Sequence, residues 1–285
     1  MGDWLREHWD FGDLDASEQR FRGLADAETD DDRGAEILTQ LARVHGLRGD
    51  FDEGERLVRE AESISATSTA ARVRIDLERG RLRRSSGDRE AALPLFESAF
   101  AAAVEGGERF LAADAAHMAA LAAPDREAFV AWTTRGIEVA EAGENTRFWL
   151  GPLLNNLGWE YQDAGEHDAA LATFERALAE RERDPANADA LRLAHYAVSK
   201  ALRALGQPDE ALDHAEWAVE SAASEGSPDG WDHEELAEVY AALGRRQEAS
   251  AQARRALELL PDADPSFADD VERGTRLRDL AASRD

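Results

Sequence analysis

Leu153-Leu154-Asn155-Asn156-Leu157-Gly158-Trp159-Glu160-Tyr161 runs on to Gly165, and beyond that glycine stand Ala169, Ala170, Leu171, Phe174 and Ala177. On both sides of Gly165 apolar residues recur three or four apart, the stripe of an amphipathic helix. The pattern predicts two helices joined at Gly165, where glycine supplies a left-handed turn without a Cβ clash. Gly158, seven residues before, and Ala170, five after, are small. They are expected at the helix crossing, where a larger side chain would force the pair apart. Phe174, nine after the glycine, is the expected plug between this pair and the next.

Working outward, the same pattern recurs every 36 to 42 residues. Its anchors are Gly12, Gly49, Gly87, Gly165, Gly206 and Gly244, with Ala123 in the remaining place. Five residues after the anchors come Ser17, Gly54, Ala92, Ala128, Ala170, Ala211 and Ala249; seven before the last six come Ala42, Gly80, Ala116, Gly158, Ser199 and Ala237. The plug position holds Phe21, Val58, Phe96, Trp132 and Phe174, then Ala215 and Ala253, so thinner packing is expected towards the C-terminus. Self-similarity at this period means stacked helical hairpins.

Leu157-Gly158, Tyr161, Gly165, Ala170, Phe174 and Ala177 resemble the tetratricopeptide repeat, in its bacterial or archaeal cytoplasmic form. Leu236-Ala237, Tyr240, Gly244, Ala249 and Ala256, closed by Pro261, are the next best copy. The resemblance covers roughly residues 35–262 and implies an all-α, right-handed superhelical solenoid of about six antiparallel helix pairs. Residues 1–34 read as a partial repeat followed by an acidic loop. Residues 263–285 read as a capping helix with Phe267, Val271, Leu277 and Leu280 along one side. The spacing exceeds the family's usual thirty-four residues, and the unit at Ala123 has Ala-Pro-Asp in place of its glycine. Pro152 falls within the fourth unit's first helix or starts it.

Composition excludes several function classes. The 285 residues hold 60 Asp and Glu against 33 Lys and Arg, for a net charge of −27. A surface this acidic repels phosphate backbones, so nucleic acid is not an expected partner. No apolar run is long enough for a bilayer, and the N-terminal residues carry no secretory pattern, so no membrane partner and a cytoplasmic location are expected. Without cysteine there is no disulfide, thiolate or cysteine zinc chemistry. The seven histidines lack metal-ligand spacing with a third ligand nearby, and no glycine-rich phosphate loop is present. No cofactor or metal is expected.

The family resemblance places the first helix of each pair on the concave side. Residues ten and six before each anchor share a face, and residues three before add to it. In order they include Arg43, Arg81, Arg84, His117, Asn155, Trp159, Tyr196, Lys200 and Arg203, with Asp114 at the edge. Lys200 is the only lysine in the chain. In so acidic a protein this stripe collects cations, and it ends at Glu234 and Glu238. Arginine beside amides suits carboxylates and phosphates, through charge-assisted hydrogen bonds. Salt bridges with Asp76, Glu78 or Glu108 are the competing use of Arg81 and Arg84.

The expectation is a non-catalytic scaffold or adaptor that holds a peptide or protein segment by an anionic group. Arg81, Arg84, Lys200 and Arg203 would meet the anion, Trp159 and Tyr196 its apolar parts, and Asn155 its backbone. A sensor responding to a peptide or an anionic small molecule is the first alternative. The second is an enzyme using Asp114, His117 and Lys200, in which Asp114 would orient the imidazole and raise its pKa.

Overall fold

In the computed structural model, residues 3–65, 67–183 and 187–283 are described; Met1, Gly2, Arg284 and Asp285, the ends of the first and last sequence segments, lie outside them. Fourteen α-helices are present among these residues, and no strand. They are α1 (Leu14–Ala27), α2 (Asp31–Leu47), α3 (Phe51–Ile64), α4 (Thr69–Ser85), α5 (Arg89–Gly106), α6 (Arg109–Ala122), α7 (Arg126–Glu141), α8 (Leu150–Asp163), α9 (His167–Arg181), α10 (Ala188–Ala204), α11 (Pro208–Ser224), α12 (Gly230–Ala242), α13 (Arg246–Ala263) and α14 (Val271–Ala282). A short 3-10 helix, Glu144–Trp149, leads into α8. None of these helices is long and apolar enough to cross a membrane. The fold is all-α, built of stacked helix pairs. It divides into two compact units, Met1–Leu153 and Leu154–Asp285.

Five of the six anchor glycines end the first helix of a pair as the sequence predicts; Gly12 does not, since only the short 3-10 helix Arg6–His8 precedes it and its φ is not left-handed. Gly49, Gly87, Gly165, Gly206 and Gly244 have φ between 72° and 96°. The amide of the residue after each glycine turns back on the helix: Asp50 to His45 O at 2.9 Å, Asp88 to Arg83 O at 2.8 Å, Glu166 to Tyr161 O at 2.9 Å, Gln207 to Leu202 O at 2.9 Å and Arg245 to Tyr240 O at 2.9 Å. This closure satisfies carbonyls that the helix end would orphan. The Ala123 unit does without it. There Asp125 accepts from the Ala128 amide at 2.9 Å and starts α7 directly. Pro152 lies in the first turn of α8, where its missing N–H costs no helical bond.

Within the first unit, Phe21, Val58 and Phe96 are fully buried and Trp132 nearly so. Leu5, Ile37, Leu41 and Ile75 surround the first two plugs, and Ala112, Ala115, Ala116 and Ala119 line the approach of α6 to α5 and α7. Within the second unit, Phe174 is the one large plug, and Ala215 and Ala253 take the equivalent places at 1% and 0% exposure. The last helices are tied by Arg273, which donates to both oxygens of Glu234 and to Asp264 while lying over the Trp231 ring at 3.9 Å. Of the expected final stripe, Phe267 and Leu277 are buried and Leu280 packs beside them, whereas Val271 is 70% exposed.

Candidate ligand-binding site

On α2, α4 and α6 the residues thirteen, nine and six before each anchor share a face, being four and then three apart. They are Glu36, Gln40 and Arg43; Arg74, Glu78 and Arg81; and Phe110, Asp114 and His117. Thr39, Leu77 and Ala113, ten before their anchors, are buried. Glu36, Gln40, Arg74, Glu78 and Asp114 are buried as well, but they carry polar contacts, so the face that bears the charged ladder is rotated by one residue from the one read off the sequence. Charged partners ladder across it from helix to helix. Arg74 Nε donates to Glu36 Oε2 at 3.0 Å, and Arg81 pairs with both Glu78 on its own helix and Asp114 on α6.

Burial sets the protonation of this cluster. It disfavours the Asp114 carboxylate, but Arg81 and Arg43 outweigh it and the pKa falls below the usual carboxylate value. For Glu78 burial prevails over the same two arginines and the pKa rises. Burial, helped by Arg81 and Arg43 and opposed by Asp114, lowers His117 to about 4. The imidazole is thus neutral at pH 7, although a carboxylate is close by. Asp114 does pull the imidazole's pKa upward, as expected, but burial outweighs it.

Residues 3–11 close this face at the N-terminal end of the unit. Asp3 pairs with Arg74, Trp4 Nε1 donates to Glu36 Oε2 at 3.2 Å, and Trp9 Nε1 donates to Gln40 Oε1 at 2.9 Å. Phe11 stacks on Trp9 with centroids 4.8 Å apart, and the Arg43 guanidinium lies 5.4 Å from both rings. Across from them stand Phe110, Phe148 and Trp149, with Phe110 5.6 Å from Trp149 and His117 5.5 Å from Trp149. Arg6 lies 3.5 Å over the Phe148 ring. Together these side chains enclose a cavity of about 240 Å³, completed by Arg81, Asp114, Met118 and Pro152. A neighbouring cleft of about 180 Å³ is lined by Arg43, Glu78, Arg81 and Arg84. Glu78 Oε2 and Trp149 Nε1 are buried with no hydrogen-bond partner among the described residues.

Arg43 stands apart from the other cations here. Among the described residues it makes no ion pair and no hydrogen bond; its guanidinium lies 5.4 Å from the ring centroids of Trp9 and Phe11. Burial, then repulsion from Arg81, lowers its pKa. A guanidinium starts high enough to stay charged regardless.

The remaining residues singled out in the sequence lie in the second unit. Lys200 Nζ donates to Tyr196 Oη at 3.1 Å and sits 5.9 Å from the Trp159 ring. Burial lowers its pKa against the pull of Glu235. Arg203 donates to both Glu235 oxygens at 2.8 and 2.7 Å, and Arg276 pairs with Glu238. Lys200 makes no ion pair among the described residues. Asn155 is partly buried on α8.

Arg43, Arg81, Asp114 and His117 are thus brought to one cavity, and Arg84 to the cleft beside it, where it donates to Leu121 O at 3.3 Å. Trp9, Phe11, Phe110, Phe148 and Trp149 were not singled out in the sequence. Phe110 occupies the repeat position that holds Glu36 and Arg74 in the preceding pairs, and that alignment could have flagged it. Trp9 stands three before the anchor Gly12, a place counted onto the face in other units, and could have been flagged too; Phe11, Phe148 and Trp149 stand at no counted position.

Family models of the tetratricopeptide repeat match residues 35–60, 153–183 and 188–217. No curated protein matches the chain. Among solved structures it is similar to a signal transduction ATPase with numerous domains that carries a tetratricopeptide repeat sensor, from Pyrococcus horikoshii. The TM-score is 0.72 at 15% identity, over 90% of this chain and 41% of that one. The chain therefore spans less than half the length of that protein. It is also similar to the apo form of RapI, with a TM-score of 0.72 at 11% identity, over 97% of this chain and 82% of that one. A third similar structure is a Rap protein complexed with Competence and Sporulation Factor, with a TM-score of 0.55 at 15% identity, over 97% and 83%. At these identities the likeness is one of fold.

Proposed function

On the premise that this chain is a tetratricopeptide-repeat protein, we propose that it is a cytoplasmic, non-catalytic scaffold that holds a peptide or protein segment carrying an anionic group. The observation that carries this reading is Arg43, a charged guanidinium at the rim of an aromatic-walled cavity with no carboxylate bound to it. Arg81 cannot serve in the same way, because Glu78 and Asp114 already neutralise it. Its part is to hold the cavity floor. Arg84 frames the adjoining cleft, and Asp114 and His117 line the cavity wall.

Size favours a segment over a free small molecule. Small-molecule sites run to roughly 300–1,000 Å³, and this cavity is about 240 Å³. The Rap structure complexed with a named factor supports a binding role for this fold. In the second unit Lys200, beside Trp159 and Tyr196, offers a further cation, with Arg203 and Asn155 on neighbouring positions.

The test is selection of binders from a random heptapeptide library on the immobilised protein, followed by titration of the selected peptides. Acidic peptides are expected, with affinity reduced at least tenfold in Arg43→Gln while the helical circular dichroism is retained. Equal affinity for Arg43→Gln would overturn the assignment.

A further inference from the structure

The cavity of the first unit has two aromatic walls, and of the three arginines that line it Arg81 is bound to carboxylates and Arg6 lies over Phe148, while Arg43 stands beside Trp9 and Phe11. One wall is the stacked pair Trp9 and Phe11, their planes only 3° apart. The other is Phe148 with Trp149, whose rings meet edge to face at 5.4 Å. Phe11 is 59% exposed, which is unusual for a ring already stacked on one side, and it lines the cavity. That ring lines the same cavity as the Trp9, Phe148 and Trp149 side chains.

Arg43 fits this arrangement through its shape. Its guanidinium carbon lies 5.4 Å from the ring centroids of both Trp9 and Phe11, and it makes no ion pair or hydrogen bond among the described residues. The N–H groups of the planar fork are therefore available to an acceptor that enters the cavity. A carboxylate can bind that fork beside the rings. The cavity, about 240 Å³, has room for one large side chain.

We propose that the occupant of this cavity is a single aromatic side chain of the bound segment, with an acidic residue next to it in sequence held by Arg43. This rests on the scaffold reading above and specifies the class of segment. Ring-on-ring contacts in offset or edge-on geometry are stronger than burial of the same aliphatic area. The site is thus selective for Trp, Phe or Tyr over Leu. Trp9 and Phe11 are the specificity-determining residues, and the N-terminal segment belongs to the binding site.

The experiment uses the full chain and the same heptapeptide selection, with Kd values for each selected peptide and for its aromatic→Leu version. The expected result is an aromatic residue adjacent to Asp or Glu in the selected peptides, and at least a fivefold weakening on aromatic→Leu. In Phe11→Ala, whose lost ring is mostly in solvent, that weakening is expected to shrink below twofold. Selected peptides that depend on Arg43 but lack an aromatic residue, or tolerate Leu, would overturn this proposal and leave the scaffold reading standing. The same holds if Phe11→Ala keeps the full preference. A selection that yields no Arg43-dependent peptide would overturn both.

Discussion

Gly158 on α8 lies directly beneath the ring of Phe174 on α9: a Cβ placed on this glycine would stand 2.3 Å from Phe174 Cε1 and 2.5 Å from Cδ1. Gly80 and Phe96 repeat the relationship in the first unit, with 2.5 Å to Cε1. The small residue seven before the anchor and the plug nine after it are therefore two halves of one contact. That contact explains why the sequence carries them at a fixed separation.

Gly158→Ala sets two effects against each other. Alanine gains roughly 1 kcal/mol of helix propensity over glycine. Overpacking against a ring that is itself fully buried costs about 1–3 kcal/mol. The expected outcome is a net loss of up to about 2 kcal/mol, read as a lower urea midpoint. Gly23→Ala on α1, where a Cβ meets nothing within 4 Å, is expected to raise the midpoint instead. Two equal shifts would mean that the crossing is not as close as described.

Among the described residues Arg81 is the only cation within ion-pair distance of the Glu78 and Asp114 carboxylates, both nearly inaccessible to solvent, and Arg81→Met removes it. Stranding buried charges costs about 3–5 kcal/mol. Equilibrium denaturation is expected to show a loss of that order. Adding Glu78→Leu and Asp114→Leu to the same chain is expected to recover most of it. A loss below about 1 kcal/mol for Arg81→Met alone would show the triad to be solvated.

His117 gives the stability a pH dependence of known sign. Its imidazole titrates near 6.5 when unfolded and at about 4 in the folded protein. Between these values the unfolded chain binds a proton that the folded one does not, so stability falls as pH drops from about 6.5 to about 4. The full effect is roughly 3 kcal/mol. The raised pKa of Glu78 acts in the opposite direction and is common to parent and variant. Subtracting the His117→Gln curve from the parent curve therefore isolates the imidazole. A flat difference between pH 4 and 7 would contradict its burial.

Arg273→Ala leaves Glu234 with Arg276 alone and removes the cation from over Trp231. The amides of α14 are expected to exchange at least tenfold faster, equivalent to about 1.4 kcal/mol of local stability. Amides of α10 are the internal control. Uniform acceleration in both helices would point to global unfolding instead.

The repeat made the helix pairs legible because each copy carries its own turn, crossing and plug within some forty residues. The charged face was only partly legible. Arg43, Arg81, Asp114 and His117 were reached by counting back from the anchors, yet a one-residue error in phase placed buried Thr39, Leu77 and Ala113 on that face as well. Spacing along one helix fixes the phase only to within about 100°, and contacts from neighbouring helices decide the remainder.

What the sequence by itself determined is the local rule: a glycine where a helix must end left-handed, a small residue where two axes cross, and a ring between layers. Those needs are met by residues close together in the chain. Only the tertiary structure decided which arginines remain available. Arg81, Arg203 and Arg43 look alike in the sequence, but Arg81 and Arg203 find carboxylates 33 and 32 residues away, and Arg43 meets rings 34 and 32 residues before it. Charge neutralisation depends on distances of a few ångströms between separate helices, which the repeat pattern leaves unspecified.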